Sequence, residues 1–317
     1  MAESDSPQRQ ETVGGRSPVL TPQIVTIDPI LPATMAVRAE ESGIKRAATD
    51  LSTLFVLSLV AGACISFGAI FATTVGAGSI GITTVDGATT ASAALPYGIV
   101  RLLMGLVFSV GLLLVIISGA ELFTGNNMIV MAWASRKVTT GALLTNWVVA
   151  FTGNFIGAVA TAILMFLTTQ YTFGGGSVGL VALNTAHAKA SLAFIPAVTL
   201  GIMCNALVCL AVWMCYGART TIDRVATIVP PIAAFVAAGF EHSIANCYFL
   251  PIGLFIKASA PDSFWAAIGK TAADYPVLTW SNFLVGNLLP VTIGNIIGGS
   301  IMVAAVYWFV YLRPKMD

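Results

Sequence analysis

The sequence predicts an all-α membrane protein that crosses the bilayer six times, as two three-span halves of opposite orientation. Three observations carry this expectation. Hydrophobic residues make up 57% of the chain and charged residues only 9%, against about 25% charged in a soluble domain. Six apolar blocks reach or exceed the roughly 20 residues needed to cross the hydrocarbon core. Short motifs of the first half recur in the second.

The chain opens with a polar segment, "MAESDSPQRQETVGGRSPVLTPQ", rich in Pro, Ser and Gln. It holds too little apolar surface to order itself, and it lacks the apolar core of a cleaved signal peptide. Residues 1–42 are therefore expected to be a flexible cytoplasmic tail, and 43–317 the membrane domain. The spans are read at 51–75, 99–134, 144–168, 192–216, 225–257 and 283–312. Stretches such as "GAGSIGITTVDGATT" and "KASAPDSFWAAIGKTAADYP" between them have loop compositions. Basic residues orient the spans. With the N-terminus inside, the inner segments hold Lys45, Arg46, Arg136, Lys137, Arg219, Arg224, Arg313 and Lys315, while the outer side holds Arg101, Lys189, Lys257 and Lys270.

The second and fifth blocks are too long for one straight helix. Residues 99–134 would extend about 50 Å at about 1.5 Å per residue, across a core of about 30 Å. The piece after "GAELFTGNN" is too short to cross again. The economical reading is one crossing per block, with helices 2 and 5 broken by loops at "GAELFTGNN" and "GFEHSIAN". Non-helical backbone survives at membrane depth only inside protein or along a cavity, and transporters place substrate sites at such breaks.

These two breaks also mark the repeat. Gly119–Asn127 parallels Gly239–Asn246, and "GNFIGA" at Gly153–Ala158 matches "GNIIGG" at Gly294–Gly299. Three spans per repeat force opposite orientations. Gly153 and Gly157, like Gly294 and Gly298, lie four apart, a spacing that lets helix backbones approach closely.

Several function classes lack their signatures. A net charge of +1 gives no basic face for nucleic acid. The five cysteines, Cys64, Cys204, Cys209, Cys215 and Cys247, form no CxxC pair or zinc pattern and read as buried hydrophobes. No Walker loop or dinucleotide fingerprint occurs, and His187 and His242 lie in different environments, unlike a haem ligand pair. Paired Asn-Pro-Ala motifs of a water channel are absent from both breaks. Neither catalysis, a cofactor nor a metal is expected.

With "GAELFTGNNMIV", "NWVVAFTGNFIGA", "GIMCNALVCLAVWM", "GFEHSIAN" and "NLLPVTIGNIIGG…YWFVYLR" in hand, the chain resembles the formate/nitrite transporter family from Gly43 to Arg313. The resemblance implies an aquaporin-like inverted repeat in the lipid bilayer of a bacterial inner membrane, assembled as a homopentamer with a pore in each protomer. It implies small monovalent anions as cargo: formate first, with nitrite or hydrosulfide as the alternative. Position by position, it places the pore histidine at His242 and the pore threonine at Thr124. Constrictions fall on Phe108, Leu112, Leu122, Phe235 and Val208. Asn205 falls at the inner constriction, Asn246 near the histidine, and Lys189 in the outer vestibule. The chain departs from some formate channels in carrying Glu121 and "GNN" where those have Asp and "STV".

The chemistry follows from desolvation. An anion entering a narrow apolar pore sheds much hydration energy, and a neutral acid far less. A small carboxylic acid titrates near about 4 in water, and low dielectric raises that value. The sequence expectation is that His242 supplies or relays the neutralising proton, with Thr124 as a hydrogen-bonding partner. Glu121 and Glu241 are expected to be structural, accepting bonds from unwound N–H groups or pairing with a basic residue such as Arg46. His187 is expected on an outer loop surface.

Overall fold

The computed structural model describes residues 28, 30–85, 88–93 and 95–314. Among the described residues, six helices are long and apolar enough to cross a membrane: α2 (Leu51–Ala77), α3 (Tyr97–Ser118), α6 (Thr140–Leu167), α8 (Phe194–Gly217), α9 (Thr221–Ala238) and α12 (Asn282–Tyr311). Shorter helices complete the bundle: α1 (Pro32–Ala47), α4 (Phe123–Asn126), α5 (Val130–Ala134), α7 (Ser177–Ala190), α10 (Ser243–Ser259) and α11 (Asp262–Ile268). The expected breaks follow α3 and α9.

Three expectations need correction. First, residues 32–42 are not tail. Pro32 supplies a preset φ at the start of α1. Met35, Ala36, Ala39 and Gly43 then form a helical stripe, buried against Met128, Ile129 and Ala132. Charges at Arg38, Glu40 and Glu41 hid that stripe in the sequence. Residues 1–27, most of the expected tail, lie outside the described residues, as does Lys315. Second, the loop after α2 contains an antiparallel hairpin, β1 (Ile80–Val85) with β2 (Ala88–Ala93). Its Ile, Val and Thr side chains suit a pleated strand. Third, the segment before α8 contains α7, whose buried face packs against α10 and α2.

The long helices meet through glycine. An added Cβ at Gly157 would lie 2.1 Å from the Leu59 carbonyl oxygen, and one at Gly298 would lie 2.2 Å from that of Ile202. Gly153 meets Ser58, and Gly294 meets Val198, at similarly close range. The first half packs α2 on α6 just as the second packs α8 on α12.

Both breaks are built identically. Gly119 ends α3 at φ 73° and Gly239 ends α9 at φ 77°, a left-handed conformation that glycine adopts without strain. The limbs before the breaks are long, about 33 Å and 27 Å at about 1.5 Å per residue. The chain then runs non-helically until α4 and α10 begin. The N–H of Glu121 bonds Leu57 O at 3.2 Å and that of Glu241 bonds Leu200 O at 3.3 Å.

Two asparagines halfway along α6 and α12 satisfy the remaining groups. Asn154 Oδ1 accepts from Phe123 N at 2.8 Å, while its Nδ2 donates to Ser58 O at 2.7 Å and Glu121 O at 2.9 Å. Asn295 Oδ1 accepts from Ser243 N at 2.9 Å, while its Nδ2 donates to Gly201 O at 2.8 Å and Glu241 O at 3.0 Å. Each amide ties a broken span to an unbroken one.

Replacing either asparagine by leucine strands two buried backbone groups at its break, Phe123 N with Glu121 O or Ser243 N with Glu241 O, each costing about 1–3 kcal/mol; Ser58 O and Gly201 O keep their partners within α2 and α8. Asn154→Leu and Asn295→Leu are expected to lose at least about 2 kcal/mol by thermal or denaturant unfolding in detergent. Gly157→Leu and Gly298→Leu are expected to lose at least about 1–3 kcal/mol through overpacking. Gly98→Ala, where a Cβ meets nothing within 4 Å, is expected to stay within about 0.5 kcal/mol of the parent.

Candidate functional site

The two breaks meet at their polar side chains. His242 is the N-cap of α10, with φ −112° and ψ 115°, and its Nδ1 accepts from Ala245 N at 3.2 Å. That bond occupies the Nδ1 lone pair, so the neutral ring carries its proton on Nε2. Nε2 lies 3.2 Å from Thr124 Oγ1. Thr124 is the second residue of α4, whose N-cap, Leu122, makes no side-chain cap bond. The threonine hydroxyl is therefore turned to the histidine and does not cap its own helix. His242 and Thr124 are both buried.

Aromatic rings close around this junction. Phe108 and Phe235 meet edge-on at 5.7 Å, Phe235 lies 6.1 Å from the imidazole, and Phe108 stacks with Phe249 at 6.5 Å. Between these rings and His242 is a cavity of about 50 Å³, enough for a few waters or one small anion. Arg101, Thr185, Lys189 and Phe240 line it and also line a wider vestibule of about 410 Å³ at the α7 end. Leu112, Leu122 and Val208 are fully buried in the same apolar cluster as Phe108 and Phe235.

The other expected site residues are hydrogen-bonded or ion-paired within the protein. Asn205 Nδ2 is shared among Thr124 O at 3.2 Å, Asn127 Oδ1 at 2.9 Å and Asn295 O at 2.7 Å. It pins α4 between α8 and α12. Asn246 Nδ2 donates to Glu241 Oε2 and Asn287 Oδ1, each at 2.7 Å. Both amides have their N–H groups engaged by protein. Lys189 lies on the cavity wall, but its Nζ is 2.8 Å from Glu241 Oε1 and 5.4 Å from the Phe249 ring centroid.

This cluster has a counterpart in the first repeat. Asn126 Nδ2 donates to Glu121 Oε2 at 2.8 Å and Asn146 Oδ1 at 2.9 Å, and Asn146 Nδ2 donates to Arg46 O at 3.1 Å. Arg46 Nη1 faces Glu121 Oε2 at 3.5 Å. In the second repeat Asn287 Nδ2 likewise donates to Lys189 O at 2.9 Å. Helices α1 and α7 are thus equivalent members of the two repeats. The expected pairing of Glu121 with Arg46 is present. The carboxylates, however, accept from side-chain amides and not from unwound N–H groups.

His187 is not on a loop surface: it sits half-buried on α7, edge-on to Tyr275 at 5.6 Å. The five cysteines are free, four of them buried. Among the described residues, no three His, Cys, Asp or Glu side chains gather as a metal site. Sequence reasoning missed Arg101, Phe240 and Phe249 in the cavity wall. A basic residue near the start of an otherwise apolar α3 was the one available signal.

Comparison with known proteins agrees with this architecture. The family pattern described as "Formate/nitrite transporter" matches residues 33–309. The chain is 43% identical over 288 residues to "Formate channel FocA" of Escherichia coli (strain K12), covering 91% of this chain and 96% of that protein. It is 37% identical to the "Probable formate transporter" of Methanothermobacter thermautotrophicus, covering 83% and 90% of the two chains. A solved structure described as "Pentameric formate channel with formate bound" superposes with a TM-score of 0.74 at 42% identity, covering 83% of this chain and 98% of that one. An "FNT family ion channel" superposes with a TM-score of 0.69 at 27% identity, covering 87% and 98%. With its inverted repeat, its paired breaks and this coverage, the chain is an integral membrane protein of the formate/nitrite transporter family.

Proposed function

We propose that this protein is a formate channel, carrying out transport without catalysis. The observation that carries the reading is the contact between Thr124 and His242 at the foot of an aromatic cavity. The relatives support formate over nitrite, since their descriptions name formate. The likeness to a pentameric channel supports a homopentamer with one pore in each protomer. The location in this reading is a bacterial inner membrane, and the distribution of basic residues supports both termini being cytoplasmic. The transport domain takes in α1, because the family match begins at residue 33.

In this reading formate gathers in the outer vestibule and loses water between Phe108, Phe235 and Phe249. Desolvation raises its pKa, so it takes up a proton in the cavity. The cap on Nδ1 sets how His242 assists. Giving up the Nε2 proton from a neutral ring would leave an imidazolate, and a second ring proton would break the bond from Ala245. His242 therefore acts as a neutral donor. Its Nε2–H and the Thr124 hydroxyl hold the acid oxygens in place of water. The acid then passes Leu122 and Val208 uncharged and ionises again on the inner side. Asn205 and Asn246 hold the loops that present these groups, and Lys189 anchors the outer loop through Glu241.

The test is uptake of labelled formate and nitrite into proteoliposomes across a pH series. Formate uptake is expected to rise as external pH falls, because the species that crosses is protonated. Thr124→Val removes one hydrogen bond of about 0.5–1.5 kcal/mol and is expected to slow uptake about 2- to 10-fold. His242→Ala removes both the donor and the cap and is expected to slow it further. Wild-type rates in both variants contradict the assignment.

A further inference from the structure

The outer vestibule is lined by two cations, and only one of them is paired with a carboxylate. Lys189 is bridged to Glu241 with both side chains largely buried, so their fields cancel at a distance. Arg101 is half-buried and has no carboxylate partner among the described residues. Its Nε donates to Ala237 O at 3.5 Å and its Nη2 to Val236 O. These are among the last carbonyls of α9 before the break at Gly239. A helix C-terminus carries about half a negative charge, and a whole guanidinium against it leaves the spot positive. Arginine has five N–H donors, and two of its nitrogens are engaged here.

Position adds to charge. Arg101 lines both the wide vestibule and the cavity against His242, so an anion moving from one to the other passes it. Without Arg101 that anion would meet bare α9 carbonyls. We propose that Arg101 is the anion-docking residue of the outer mouth, binding formate before it reaches the aromatic cavity and shielding it from the α9 terminus, while Lys189 serves structure. This rests on the reading of the protein as a formate channel.

The test separates docking from passage. Docking is read as the formate-dependent rise in unfolding temperature of the full-length detergent-solubilised protein, at ionic strength held constant with gluconate, since a ligand of the folded state stabilises it. Passage is read as formate uptake in proteoliposomes. Arg101→Gln is expected to raise the half-saturating formate concentration about threefold or more in both assays, with the maximal uptake rate within about twofold of wild type. Arg101→Lys restores most of the affinity, and added salt weakens docking in the wild type but not in Arg101→Gln. An unchanged half-saturation in Arg101→Gln, or failure of lysine to restore it, overturns the proposal. Should Arg101→Gln not fold, the wild-type salt series decides, and a flat series overturns it. Docking without uptake would sink the channel reading and leave this one standing; absence of both sinks both.

Discussion

A broken helix inside a membrane leaves backbone N–H and C=O groups that neither its own turns nor water can satisfy. Everything at the centre of this protein depends on how that demand is met. One asparagine per repeat, Asn154 or Asn295, accepts from the first N–H of the resumed helix and donates to two carbonyls. With those bonds made, each break is a fixed piece of architecture. Leu122 and His242 then occupy equivalent N-cap positions, and the two loops face each other across the bundle.

Function enters where the repeats differ. Their glycine contacts, left-handed caps, asparagine ties and carboxylate clusters correspond residue for residue. At the N-caps, one repeat has an isobutyl group and the other an imidazole. Two residues on, Thr124 has an isoleucine, Ile244, as its counterpart. The result is a single polar contact, Thr124 to His242, in an otherwise apolar constriction. In the proposed channel its polarity would serve a small acid, and its isolation would limit the water that could accompany an ion. The matched acid–amide–base clusters flank this centre from the α1 and α7 sides, and they keep Glu121 and Glu241 neutralised by Arg46 and Lys189.

Much of this was legible in the chain. Length alone demanded that residues 99–134 and 225–257 be interrupted, and the polar letters at "GAELFTGNN" and "GFEHSIAN" marked where. The glycine pairs were legible because close helix approach permits no side chain. The histidine stood out because an ionisable group within apolar sequence needs a reason. What escaped notice were features whose signal is three-dimensional. Helix α1 carries its buried stripe among charges, and α7 is short and follows a run of three glycines. The roles of Asn154 and Asn295 depend on partners far away in the chain. Arg101 and Phe249 look like ordinary members of apolar segments until the two breaks fold them onto one cavity. The cap on Nδ1 of His242 also needed coordinates, and it sets the proton of the neutral ring on Nε2.

The central claim is that formate crosses the Thr124–His242 junction as the uncharged acid. Simultaneous recording of interior pH and membrane current during a formate gradient tests it most directly in sealed proteoliposomes. The account predicts about one proton carried with each formate and no current above that of empty vesicles. A formate-driven current without interior acidification would contradict it.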